Sequence, residues 1–134
     1  RKYNATEADY IGLLSPDMFR DFVMPALEEE AAFLDHCIFH LDGPDALKHL
    51  DDILSIKQFD CIQWVSGAGS PPPKEWPEVL HKIQDAGKAI WLRLSPEEVK
   101  EVHKQYKPEL MCYNVIAKSH KEAQELLDWL KKNT

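Results

Sequence analysis

The sequence lacks any apolar run that approaches the roughly 20 residues needed to span a bilayer. It also lacks an excess of basic residues, because 16 Lys and Arg stand against 23 Asp and Glu and leave a formal net charge of −7. Nucleic acids and anionic membrane surfaces are bound through basic patches. The composition therefore argues against both as partners of this chain.

Cysteine is scarce and dispersed. Cys37, Cys61 and Cys112 form no CxxC pair, so neither a disulfide framework nor a zinc site with two ligands from one tight turn is indicated. Residues 1–9 hold no apolar core of the kind a signal peptide has. We expect reduced, buried thiols and a cytoplasmic protein.

Two phosphate- and cofactor-binding motifs are missing as well. The glycine-rich stretch 66–70 is not followed by the Lys-Ser/Thr pair of a phosphate-binding loop, which favours a flexible active-site loop. An Asp-x-His-x-x-Gly pattern, which a free-standing corrinoid-binding domain needs, is absent.

What the sequence does contain is one unit repeated, an apolar strand followed by a helix. A first helix is predicted over 15–34, with Ser15 as its N-cap, and Pro25 is expected to kink it or split it in two. Strands are predicted over 37–41, 59–65, 89–94 and 110–116, each with a helix after it. Short links between near-continuous apolar strands predict a parallel sheet within a single α/β domain, residues 1–134.

Polar residues mark the carboxyl ends of these strands. The side chains of a strand point alternately to its two faces. If Ile90 and Leu92 point toward the helices, each strand places at least one polar side chain on the opposite face. This set, here called the polar rim, comprises His40, Asp42, Gln63, Arg93 and Asn114. Such a rim is typical of a barrel mouth. We therefore predict half of a (β/α)8 TIM barrel, with four βα units after an N-terminal helix, over the alternative of a doubly wound sheet.

Each member of the polar rim has a candidate role. His40 and Asp42 are the predicted catalytic pair, and Gln63, Arg93 and Asn114 the predicted substrate-binding groups, with Arg93 suited to clamp a carboxylate or phosphate. The alternatives for two of these residues are structural roles. Asp42 has the position to cap a helix that begins after Gly43, and Arg93 to form a salt bridge with Asp42.

The chain resembles the C-terminal half of the uroporphyrinogen decarboxylase superfamily, which includes the corrinoid (cobalamin-dependent) methyltransferases. The likeness rests on residues 13–25, on His40-Leu41-Asp42-Gly43, on Gln63-Trp64 with its loop, and on residues 94–99. It implies a barrel enzyme acting on a small-molecule substrate. The reaction would be methyl transfer, with a corrinoid protein as partner, or the decarboxylation (lyase) chemistry of porphyrin metabolism. The alternative is a non-catalytic binding domain that keeps the fold only.

The sequence departs from that family at its metal ligands. In the zinc-dependent methyltransferases the strand end reads His-x-Cys-Gly and a second cysteine follows near the last strand. Here Asp42 holds the middle position and the last strand ends Tyr113-Asn114-Val115. A His-x-Asp pair binds metal through nitrogen and oxygen, so the expectation is a divalent ion such as zinc on His40 and Asp42.

A half-barrel is expected to be a fragment of a longer chain, and it would leave two sheet edges unpaired, near Phe39 and near Tyr113. We expect these edges and the apolar lumen face to be covered by a second copy, giving a homodimer, or by the missing N-terminal half of the barrel. Folding of the N-terminal helix over one edge is the alternative.

Overall fold

The computed structural model describes residues 2–134, which form a five-stranded parallel sheet with strand order β1-β2-β3-β4-β5. The strands are β1 (Tyr3–Glu7), β2 (His36–Asp42), β3 (Phe59–Val65), β4 (Ala89–Leu94) and β5 (Met111–Val115). Strands adjacent in sequence are adjacent in the sheet, so successive right-handed crossovers bring their helices to the same face. The predicted α/β class with a parallel sheet is confirmed.

A helical segment follows every strand. The α-helices are α1 (Pro16–Met18), α2 (Met24–Phe33), α3 (Leu50–Ser55), α4 (Pro77–Asp85), α5 (Pro96–Val102) and α6 (His120–Asn133). Short 3-10 turns occupy Asp9–Leu13, Pro44–His49, Pro73–Glu75 and Pro108–Leu110. None of these helices has the length and apolar content that crossing a bilayer would require.

The predicted kink at Pro25 takes the form of a π-helical turn. Ser15 caps the start of α1, with its side-chain oxygen accepting from the Met18 N–H at 3.2 Å. The turn Phe19–Val23 then leads into α2, where Pro25 is the second residue. Proline has no N–H to donate to the preceding turn, and a π-turn accommodates the missing bond.

The two faces of the sheet differ in burial. Side chains directed toward the helices are completely or almost completely buried, among them Phe39, Leu41, Ile62, Trp64, Ile90 and Leu92. The side chains that point to the opposite face are half-buried or exposed along most of each strand, as the alternating burial of β2 shows. This second surface, here called the open face, carries the polar rim.

The structure contains a strand that the sequence did not predict, β1. It pairs with β2 in parallel register from Tyr3 opposite His36 to Glu7 opposite His40. The sheet edges are therefore β1 and β5, and the predicted edge near Phe39 is wrong because β2 is paired on both sides. Only Thr6 of β1 is buried, which explains why this strand shows no apolar run.

Candidate functional site

The register of the sheet places the polar rim at one edge. His40 lies opposite Gln63, and Gln63 lies opposite Trp91 on the next strand. Arg93 lies opposite Asn114. Because the carboxyl ends of parallel strands meet at the same edge, all five predicted site residues lie on the open face there.

His40 is held by a hydrogen bond to its neighbour on β3. Its Nδ1–H donates to the Gln63 Oε1 at 2.8 Å. This bond fixes the ring orientation and leaves Nε2 as the nitrogen with a free lone pair. Gln63 thus acts as the orienting partner of the imidazole.

A cleft of about 590 Å³ opens beside this pair. Four members of the polar rim, Asp42, Gln63, Arg93 and Asn114, line it together with Trp91. The loop after β3 closes one side through residues 66–68, and Gly67 there has a positive φ of 78°. A cleft of this size accommodates a small organic molecule.

Arg93 and Asp42 face the cleft without protein partners. Neither side chain forms a hydrogen bond or an ion pair anywhere in residues 2–134, so the salt bridge between them that the sequence left open is not formed. The 3-10 turn after β2 has Gly43 at its N-cap position and receives no side-chain cap, so the capping role of Asp42 is not seen either. Both charges are free to meet a ligand.

Two further carboxylates lie beside His40, and sequence reasoning missed both. Ligand atoms of Glu7, Asp9 and His40 lie within 4.8 Å of one another. Asp42, the predicted metal partner of His40, is not a member of this group. The sequence of β1 offers little signal for these contacts, because Thr6 is the one buried residue of the strand.

The cysteines do not form a thiolate site. Cys37 lies on the helix-covered side, and none of the three cysteines forms a disulfide bond. Burial raises the pKa of Cys61 to about 12, with the nearby Cys112 adding to the increase. Burial also raises the pKa of Cys112, although part of that residue is exposed, which corrects the expectation that all three thiols are buried. These thiols stay protonated at neutral pH.

Comparisons with protein-family models, with curated proteins and with solved structures found no match to this chain. The polar rim and its cleft are therefore the features from which a function is inferred.

Proposed function

We propose that this chain is a half-barrel enzyme domain of the uroporphyrinogen decarboxylase type, with its site at the carboxyl ends of the strands. Sequential strand order supports the half-barrel, because strands of a (β/α)8 barrel follow one another in this way. A doubly wound sheet reverses its order part-way and carries helices on both faces. The open face with its polar rim is what a barrel lumen would present.

The substrate would be a small anionic molecule, and the unpaired Arg93 is the observation that carries this proposal. A guanidinium presents a planar set of donors that matches a carboxylate or a phosphate. Asn114, opposite Arg93 on β5, adds an amide to the same side of the cleft. Decarboxylation and methyl transfer both remain compatible with this arrangement.

His40 and Asp42 would supply the chemistry. The orientation that Gln63 imposes leaves Nε2 of His40 to act as a general acid or base, or as a metal ligand. Asp42 at the edge of the cleft would stabilise positive charge on the substrate or on the imidazole. The unpaired thiols support a cytoplasmic location as part of the same proposal.

Binding of uroporphyrin, an octacarboxylate with intrinsic fluorescence, tests the anion site. We expect saturable binding that Arg93→Ala weakens by about 10- to 100-fold, since charge-assisted hydrogen bonds contribute roughly 1.5–3 kcal/mol. The affinity of Arg93→Lys should lie between those of the unsubstituted protein and Arg93→Ala, because lysine keeps the charge and loses the planar donor set. Fluorescence titration measures all three proteins.

Arg20→Ala is the matched control. Arg20 is ion-paired to Asp17 at 2.6 Å and to Asp52 at 3.0 Å, so its removal should leave uroporphyrin binding unchanged. Absence of saturable binding, or an equal loss in the Arg20 and Arg93 variants, would contradict the proposal. A corrinoid partner is tested in parallel with hydroxocobalamin.

We further propose that a second copy covers the open face. This surface presents half-buried Ile38 and Trp91 between two unpaired edges, β1 and β5, and such surfaces are liabilities that proteins cover. Sedimentation equilibrium at micromolar concentration should give a dimer, and Trp91→Glu should shift it to monomer. A wild-type chain that is monomeric throughout would contradict pairing.

A further inference from the structure

We propose that Glu7, Asp9 and His40 bind one divalent transition-metal ion beside the cleft, with Zn²⁺ as the first candidate. Parallel pairing of β1 with β2 sets Glu7 directly opposite His40. Asp9 begins the 3-10 turn that follows β1, which brings its carboxylate back to the same point. The three ligand atoms lie within 4.8 Å of one another, a spacing that one ion can bridge.

The two carboxylates carry uncompensated charge. Within the described part of the chain, neither Glu7 nor Asp9 accepts a hydrogen bond or forms an ion pair, although both belong to the same cluster. Asp60 on β3, by contrast, is paired with a histidine, its Oδ2 lying 3.2 Å from the His36 Nδ1. A bound cation would balance these two negative charges.

His40 is already oriented as a ligand. Its Nδ1–H donates to Gln63 Oε1 at 2.8 Å, so the free lone pair is on Nε2. Metal-binding histidines commonly donate their other ring N–H to such an acceptor, which sets the tautomer and raises ligand basicity. Gln63 also lines the cleft, so the proposed ion would lie next to the substrate.

The donor set indicates which metal fits. One imidazole with two carboxylates favours Zn²⁺ or a neighbouring first-row ion over Mg²⁺ and Ca²⁺, which prefer oxygen alone. Three protein ligands leave a coordination position open for water or substrate. The thiolate ligands that the family resemblance implies do not fit here, because Asp42 replaces the cysteine and the protonated Cys61 and Cys112 are not in the cluster.

This inference rests on the proposed function for the location of the cleft, but its test needs no substrate. Zn²⁺ alone is titrated by calorimetry into metal-free protein, with one saturable site expected. His40→Ala should weaken binding by more than roughly 100-fold because it removes the nitrogen ligand itself, and Glu7→Gln and Asp9→Asn should each weaken it clearly. Gln63→Ala should weaken it by roughly 10-fold, in the range for loss of a ligand's orienting hydrogen bond.

Matched controls are His120→Ala and Glu28→Gln, exposed residues on α6 and α2 that should leave Zn²⁺ binding unchanged. Co²⁺ substitution should give visible d–d absorption without a thiolate-to-cobalt charge-transfer band. Lack of saturable Zn²⁺ binding, equal losses in the control variants, or such a charge-transfer band would overturn the inference.

Arg93→Ala separates this inference from the proposed function. That variant should bind Zn²⁺ like the unsubstituted protein while losing uroporphyrin. Failure of the metal site alone would leave uroporphyrin binding intact, and failure of the anion site alone would leave the calorimetric titration intact.

Discussion

Replacing Phe39 with alanine is expected to lower the free energy of unfolding by about 3–5 kcal/mol, the usual cost of deleting a buried aromatic ring. Phe39 is fully buried on the helix side of β2, and its ring centroid lies 5.0 Å from that of Phe59. The change removes apolar contact and leaves a cavity. Since a domain of this kind is stable by about 5–15 kcal/mol, urea unfolding should show a large shift of the midpoint.

Phe22→Ala is the matched control for that prediction. This substitution removes the same aromatic ring from a side chain that is 75% exposed, so the free energy of unfolding should change by no more than about 0.5 kcal/mol. If both variants lost a similar amount of unfolding free energy, the assignment of the two faces of β2 would be contradicted. That assignment matters for function, because His40 follows Phe39 and therefore points to the opposite face.

Gly43→Asn is expected to lower the free energy of unfolding by about 1–3 kcal/mol, through the backbone alone. Gly43 has φ 78° and ψ 155°, a region that residues with a Cβ avoid. A Cβ there would meet no atom within 4 Å, so crowding is not the cause. The Gly43 N–H donates to the Val65 carbonyl at 2.9 Å, which ties the turn after Asp42 to β3.

Gly87→Asn provides the comparison. Gly87 has φ 73° and follows α4, where Lys88 N–H donates to the Ile83 carbonyl at 3.2 Å in a Schellman motif. Asparagine tolerates this left-handed position, so the loss should stay below about 1 kcal/mol. Chemical denaturation of both variants measures the difference, and equal losses would show that Gly43 needs no special backbone freedom.

The local sequence pattern predicts the limits of a strand accurately where an apolar run ends at turn-forming residues. The predicted limits 59–65 and 89–94 coincide with Phe59–Val65 and Ala89–Leu94. The sequence Ser95-Pro96-Glu97-Glu98 predicts a capping box at the start of α5. The box is formed, with the Ser95 N–H donating to the Glu98 carboxylate at 2.9 Å and the Glu98 N–H donating to the Ser95 hydroxyl oxygen at 3.3 Å. Helix ends are less well defined by local pattern: the sequence predicts that α5 runs to about Tyr106, but the helix ends at Val102.

Residues whose partners are distant in sequence were harder to interpret. The positions of His49 and His103 in the predicted helices indicate surface side chains, but both are buried. The Nε2–H of His49 donates to the Ile11 carbonyl at 2.9 Å, and the His49 ring stacks on the Phe19 ring. The Nδ1 of His103 is hydrogen-bonded to the Tyr113 hydroxyl at 3.0 Å. Local sequence contains no signal for such partners.

The sequence by itself determined the class of the fold and the residues that share one face at the strand ends, because strand alternation is a local property of the backbone. Only the tertiary structure decided which side chains meet across strands. Pairing of β1 with β2 brings Glu7 to His40, and the absence of a partner in residues 2–134 leaves Arg93 available to a ligand. Contacts of this kind depend on strand order and register, which the pattern within any one strand does not specify.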